Sequence, residues 1–139
     1  MKLALTFILI FTINQIFAQN NNEKYKADIN LNTCLEIPEN YSTQGIISCY
    51  QKATTEWDKE LNKKYKTLIS MLTNEQKEKL KTTQRQWIIF RDKELNFSNK
   101  LYSDMQGTMW SITATERKYE LTKNRTIELD NYIINLKAK

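Results

Sequence analysis

An apolar stripe at helical spacing runs through the middle of the chain and constrains its fold more than any other feature. Apolar residues recur there at steps of three and four, which places them on one face of a helix of roughly seven turns. They are Ile46, Cys49, Ala53, Trp57, Leu61, Tyr65, Leu68 and Leu72. Just before the stripe, the hydroxyl of Ser42 or Thr43 can accept hydrogen bonds from the first free backbone amides. The sequence therefore predicts a long amphipathic helix that other elements must cover.

Two further helices are predicted to follow. Thr73 and Gln76 have the capping-box spacing, so a second helix begins almost without a loop. It should end before Gly107, because glycine is unfavourable inside a helix and favoured just after one. A third helix is predicted from about Met109 to Leu136. Three helices of similar length with short connections predict an all-α fold, an antiparallel three-helix bundle in up-down-up order.

The middle of the second helix has an unusual composition. Its four consecutive apolar residues, Trp87 to Phe90, cover all sides of one turn, so this turn should be buried on most of its circumference or meet a partner. We interpret it as the middle of a central helix around which the others pack. Gln84 and Arg91 lie nearby on one face and need hydrogen-bond partners on neighbouring helices. Polar residues at the centre of the third helix can supply them: Thr115, Glu116, Thr122, Arg125 and Thr126.

The N-terminal segment has the pattern of a secretory signal. One charge, Lys2, precedes an apolar run that is short for a membrane span, and the small residue Ala18 ends it. We predict a signal peptide at residues 1–18, a flexible tail at 19–33 and a helical domain at 34–136. An uncleaved membrane anchor is the alternative. After cleavage no transmembrane segment is expected, and the protein should be exported to the periplasm or the extracellular space.

Export places the two cysteines, Cys34 and Cys49, in an oxidising compartment, where an even number favours a disulfide over two free thiols. The bridge would pin an irregular loop at residues 25–41 to the first long helix. A closed loop of roughly 15 residues contributes about 3 kcal/mol of stability. No metal site and no cofactor are predicted, since the chain has no histidine to serve as a ligand.

The chain is basic, with a formal net charge of +5. Its lysines are mixed with glutamates along the helices, as is typical of solvated faces. Such a surface could favour anionic envelope polymers or lipid head groups, although the charge pattern is a weak signal for this. Nucleic acid is disfavoured as a partner, because the chain is predicted to be exported and shows no basic groove interleaved with aromatic residues.

Five segments in a fixed order resemble one known family. They are Cys34 with Cys49, Asp58 to Tyr65, Gln84 to Asp92, Gly107 to Met109 and Leu121 to Leu129. Together they look like the LprI-type lysozyme inhibitor N-terminal domain, a family of small secreted or periplasmic helical proteins of bacteria. The resemblance covers about Cys34 to Leu129 and implies inhibition of a lysozyme. The family's usual second cysteine pair would fall near Leu95 and Arg117, where this chain has no cysteine.

The resemblance marks eight motif positions and implies no catalytic role for them. They are Asn62, Tyr65, Gln84, Trp87, Arg91, Asp92, Thr122 and Arg125. We expect these residues to be structural, with Arg91 paired to an interior carboxylate such as Glu116. The alternative is a binding site at Arg91 and Asp92, because a guanidinium group suits carboxylates and acidic sugars.

No catalytic residues are predicted. Carboxylates two positions apart, such as Asp92 and Glu94, point to different sides of a helix and cannot flank one glycosidic bond. Nucleophilic catalysis would need a nucleophile and a base. The chain has no serine in a strained turn motif to act as nucleophile and no histidine to act as base. The sequence therefore favours a binding protein over an enzyme.

Two functions follow from these patterns. In the first, the protein binds a lysozyme and occludes its saccharide cleft, using the turn at residues 102–110 or the segment between the two cysteines. The candidate contact residues are Tyr102, Gly107 and Trp110. A local acidic patch of Asp28, Glu36 and Glu39 would favour a basic lysozyme. In the second, the protein is a structural or binding module of the cell envelope whose basic faces bind anionic polymers or another exported protein. The sequence does not specify an oligomeric state.

Overall fold

The computed structural model describes residues 25–138, and within this range all regular structure is helical. Helix α1 spans Lys26–Leu35, followed by a short 3₁₀ helix at Pro38–Asn40. Three long helices follow, α2 at Thr43–Met71, α3 at Asn74–Ser103 and α4 at Met109–Lys137. The all-α prediction is confirmed. The predicted count of three helices is wrong, because a fourth helix, α1, precedes them.

Hydrogen bonds between side chains fix the direction of the core helices. Tyr50 on α2 donates to Glu116 on α4 at 3.0 Å, and Lys64 on α2 donates to Asp130 on α4 at 2.7 Å. Both bonds span 66 residues of sequence. Since the offset between partners stays constant, α2 and α4 run parallel, as the up-down-up order requires.

Helix α3 runs antiparallel to α4. Near the carboxyl end of α3, Glu94 pairs with Arg117, and nearer its start Gln84 pairs with Arg125. The Glu94–Arg117 ion pair, at 2.7 Å, lies beside Leu95, where the family resemblance places one cysteine of a second pair. An ion pair thus joins α3 and α4 near the positions where the resemblance places the second cysteine pair.

The core lies between α2 and α4, and the predicted apolar stripe provides the α2 side of it. One cluster surrounds Trp57, which is fully buried with Cys49 and Ala53. A second cluster joins Leu61 and Leu68 to apolar residues of α4, Leu129 and Ile133. Burial of these side chains supplies the main driving force for folding.

Helix α3 is peripheral, so the prediction that it is the central helix is wrong. It packs mainly against α4, and few of its backbone positions approach α2. Its buried residues, Gln84 and Ser98, are both polar. Trp87 is half-buried, whereas the other three residues of the apolar run, Ile88 to Phe90, are exposed. The expected burial of this turn on most sides is therefore not found.

Helix α1 corrects the prediction of a flexible tail at 19–33 and a loop at 25–41. Ala27, Asp28 and Leu31 are buried on α1 against α2, to which the Cys34–Cys49 disulfide also ties it. The helix gave a weak sequence signal because one of its three buried positions is an acid. The ordered domain therefore begins before residue 34. The predicted signal peptide at 1–18 and the remainder of the predicted tail, 19–24, lie outside the described residues.

The predicted helix boundaries agree with local hydrogen bonds. The Ser42 hydroxyl accepts from the Gly45 amide at 3.1 Å, and Thr73 and Gln76 form the reciprocal capping box. Gly45 also lies against the backbone of Asn40, where an added Cβ would approach the Asn40 Cα to 2.6 Å. Gly107 has φ 108°, a conformation that side-chain-bearing residues rarely adopt, and it lies in the turn between α3 and α4.

Candidate functional site

Two of the eight motif residues form a buried polar pair between α3 and α4. Arg125 donates from Nε to the Gln84 side-chain oxygen at 2.9 Å, and from Nη1 to Glu128 at 2.9 Å. Both Gln84 and Arg125 are nine-tenths buried or more. The prediction that α4 supplies a partner for Gln84 is confirmed. This pair fixes the register of α3 on α4, because a buried polar group without its partner would be costly.

Arg91 has a different environment from the one predicted. It donates from Nε and Nη2 to Asp92, the next residue on the same helix, at 2.9 and 2.7 Å. Glu116, its expected partner, instead accepts a hydrogen bond from Tyr50. The guanidinium of Arg91 lies 5.3 Å from the ring centre of Trp87, close enough for a cation–π interaction. The ion pair between Arg91 and Asp92 therefore lies within α3 and does not link two helices.

Two further motif residues, both on α2, lie along the open seam between α2 and α3. Asn62 and Tyr65 line a shallow groove with Gln84. Thr122 is buried on α4 at the base of a larger cleft, whose rim includes Arg91. The structure thus distributes the motif over three helices around one seam, and it does not bring all eight residues into one site.

The larger cleft has a volume of 660 Å³ and lies between α2, α3 and α4, in the half of the bundle nearer the disulfide. Its lining is Gln51, Thr54, Thr55, Asp58, Arg91, Leu95, Asn99, Ala114, Thr115, Lys118 and Thr122. The volume is in the range of small-molecule sites, which measure roughly 300–1,000 Å³.

A buried acid that sequence reasoning misplaced organises the other side of the molecule. Asp28, predicted in a surface acidic patch, is 5% exposed. It accepts hydrogen bonds from Trp57 Nε1 at 2.9 Å, the Tyr119 hydroxyl at 2.6 Å and Lys123 Nζ at 2.6 Å. A usable signal existed in its position beside Ala27 and one turn before Leu31. The network joins α1 to both core helices.

Three tyrosines that donate to carboxylates titrate above their ordinary range. Burial raises the pKa of Tyr50 to about 12, and its hydrogen bond to Glu116 adds to the effect. Burial is also the main cause of the raised pKa values of Tyr25 and Tyr119, followed by hydrogen bonds to Asp130 and Asp28. All three hydroxyls therefore remain protonated donors at neutral pH.

The predicted contact residues lie at one end of the bundle. The rings of Tyr102 and Trp110 stack at 5.7 Å with an interplanar angle of 9°, on either side of the turn that contains Gly107. Because α3 runs antiparallel to α2, this turn and the segment between Cys34 and Cys49 lie at the same end, which we call the disulfide end. Large exposed apolar side chains at this end are Ile37, Tyr41, Met105 and Met109.

Residues 25–138 show neither a membrane-spanning helix nor a metal-binding cluster. No helix there combines the length and the apolar character that crossing a membrane requires. In the same range, no three histidine, cysteine or acidic side chains form a group able to hold a metal ion.

Comparison with known proteins gives a family match and a similar solved structure. No curated protein matches the chain significantly. The crystal structure of an uncharacterized protein from Burkholderia thailandensis is similar, with a TM-score of 0.73 and 24% sequence identity over 78% of this chain. The match covers 55% of that protein, so this chain spans about half its length, and the likeness shows the fold alone.

The family model of lysozyme inhibitor LprI matches residues 34–129, from the first cysteine to the buried Leu129 of α4. The match covers more than half of the chain and includes the disulfide, the Gln84–Arg125 pair and the seam. This chain belongs to the LprI lysozyme inhibitor family.

Proposed function

We propose that this protein is an exported, non-enzymatic inhibitor that binds a lysozyme and occludes its saccharide cleft. The observation that carries the proposal is the family match over residues 34–129. The N-terminal pattern of one charge, an apolar run and Ala18 supports export to the compartment where a lysozyme acts.

The disulfide end is the proposed contact surface. Tyr41 and Met109 are each 64% exposed there, on either side of the bundle end. Aromatic residues and methionine are enriched at the centres of protein interfaces, since they contribute much apolar contact area. The Cys34–Cys49 bridge and the stacked rings of Tyr102 and Trp110 hold both segments in place. Because these segments are held in place, little conformational freedom is lost when they bind a concave partner.

Long-range electrostatic attraction contributes little to this interface. The chain has a net charge of +5, so a basic lysozyme would not be steered toward it. Burial of Asp28 leaves Glu36 and Glu39 as the acidic residues of the predicted patch that are exposed near the disulfide. Affinity would therefore depend mainly on apolar contacts, and it should change little between low and physiological salt.

Lysis of a peptidoglycan suspension tests the proposal. The purified mature protein should inhibit lysis by at least one lysozyme in a dose-dependent way, at both low and physiological salt. The double variant Tyr41→Ser, Met109→Ser should weaken inhibition by about tenfold or more, as expected when central apolar contacts are lost. The matched control is Tyr132→Ser, Ile134→Ser, which removes two exposed side chains at the opposite end of the bundle.

Failure to inhibit any lysozyme would reject the proposal and favour the envelope-module function. One observation already weighs against a purely charge-driven module. Some lysines on α2 and α3 are paired one turn away on the same helix, as in Lys63 with Glu60 and Lys81 with Glu78. This pairing reduces the charge that an anionic polymer would meet.

A further inference from the structure

The cleft between α2, α3 and α4 has a polar lining, although apolar side chains normally fill the space between packed helices. Among its lining residues, Leu95 and Ala114 alone are apolar. Its 660 Å³ arises because α3 leans on α4 and approaches α2 at few positions, while threonine and alanine fill little of the gap. A polar space of this size between helices holds water or a polar ligand.

Four threonines give the cleft a surface of hydrogen-bond acceptors. Each donates its hydroxyl proton to the backbone carbonyl four residues earlier, at 2.7 to 3.0 Å. They are Thr54, Thr55, Thr115 and Thr122. Thr54 and Thr122 are more than nine-tenths buried and form the base of the cleft. With their protons engaged, the hydroxyl oxygens accept from a ligand, and the amides of Gln51 and Asn99 can both donate and accept.

Two cations face the same space. Arg91 forms an ion pair with Asp92 on its own helix, at the exposed edge of the cleft. Lys118 on α4 forms no ion pair among the residues that the structure describes. The one acid in the lining, Asp58, lies on the α2 wall and accepts a hydrogen bond from Asn62 at 3.4 Å. Positive charge on α3 and α4 thus faces acceptor oxygens on α2.

We propose that this cleft binds a small anion that carries one carboxylate and several hydroxyl groups, an acidic monosaccharide being the simplest such molecule. Arg91 and Lys118 bind the carboxylate, since charge-assisted hydrogen bonds to a guanidinium are among the strongest available. The threonine oxygens and Asp58 accept hydrogen bonds from the ligand's hydroxyl groups. Neither recognition element suffices alone, so the cleft selects molecules that carry both.

Titration of the isotope-labelled mature protein, followed by amide and guanidinium NMR signals, tests the proposal with three probes. Glucuronate should cause saturable shifts at Thr54, Arg91 and Lys118. Glucose lacks the carboxylate and acetate lacks the hydroxyl groups, so each should bind at least about tenfold more weakly. Equal affinity for glucose or for acetate would overturn the proposed ligand class, and absence of shifts at the cleft with glucuronate would overturn the site.

Arg91→Gln and Lys118→Gln should each weaken glucuronate binding by about tenfold. Arg85→Gln is the matched control, because it removes an exposed arginine two turns earlier on α3 from outside this cleft. Thermal unfolding should be nearly unchanged in all three variants, as the Arg91 ion pair lies within one helix. Unchanged binding in both cleft variants would refute the proposal. No lysozyme enters these measurements, so they can fail or succeed independently of inhibition.

Discussion

Asp28 is a single buried carboxylate that accepts hydrogen bonds from Trp57, Tyr119 and Lys123. Replacing it by alanine leaves the Lys123 charge and two buried donors without their acceptor. We expect Asp28→Ala to lower the free energy of unfolding by about 3–5 kcal/mol, as for other broken buried pairs. Urea unfolding followed by circular dichroism measures this loss.

Asp92→Ala provides the control for that measurement. The Asp92 carboxylate is exposed and pairs with Arg91 on the same helix. Loss of an exposed ion pair changes stability by about 1 kcal/mol or less. Similar unfolding curves for the two variants would contradict the structural role of Asp28.

At the residue scale, the sequence predicted a hydrogen bond where a polar residue lay beside an apolar region and a neighbouring helix offered an evident partner. The need of Gln84 for a partner on α4 could be predicted, and Arg125 supplies it. The partner of Arg91 could not be predicted, because Asp92 satisfies it locally and Glu116, the expected partner, accepts from Tyr50 instead. Which arginine lies inside depends on the tilt of a whole helix, which spacing within the sequence does not determine.

At the scale of elements, helix α1 depends on ties that lie far apart in sequence. Its residues are held by the disulfide to Cys49, by the Asp28 network and by the Asn30 side chain, which donates to Glu56. The three long helices could be predicted, because their spacing and caps are local signals. Helix α1 could not, since it is ten residues long and its order comes from tertiary contacts.

Removal of the disulfide should therefore loosen α1 before the other helices. The bridge closes a loop with a sequence separation of 15, so Cys34→Ala, Cys49→Ala should destabilise the protein by about 3 kcal/mol. Hydrogen exchange should show the α1 amides of the variant exchanging by local opening, while α2 and α4 remain protected. Asn30→Ala, which removes the partly buried hydrogen bond to Glu56, is the milder control. Equal protection of α1 and α2 in the disulfide variant would contradict this ordering.

At the scale of the whole molecule, tyrosine–carboxylate hydrogen bonds cross the interfaces between helices. Tyr50 joins α2 to α4 through Glu116, and Tyr119 joins α4 to α1 through Asp28. The sequence predicted the apolar stripe of α2 that forms one side of the core, but it placed α3 at the centre, and these polar links required the three-dimensional arrangement. Each of these hydrogen bonds requires a protonated tyrosine, so the stability of the bundle should fall at alkaline pH.

The direction of that coupling follows from the raised pKa values. Burial and the hydrogen bond to Glu116 raise the pKa of Tyr50 from 10.0 to about 12, and burial raises those of Tyr25 and Tyr119 as well. The folded state therefore holds its tyrosine protons more tightly than the unfolded state. The resulting stability is fully present below pH 10 and is lost as the pH rises toward 12.

Thermal unfolding between pH 8 and about pH 12 should show this loss as a falling midpoint that begins near pH 10. In Tyr50→Phe the midpoint should be lower at pH 8, because a hydrogen bond is missing, and its decline above pH 10 should be shallower. Tyr132→Phe, at an exposed tyrosine, is the control and should follow the parent curve. If the curve of Tyr50→Phe runs parallel to that of the parent throughout, the Tyr50–Glu116 bond does not carry the pH dependence, and the decline comes from other groups, such as Tyr25 and Tyr119.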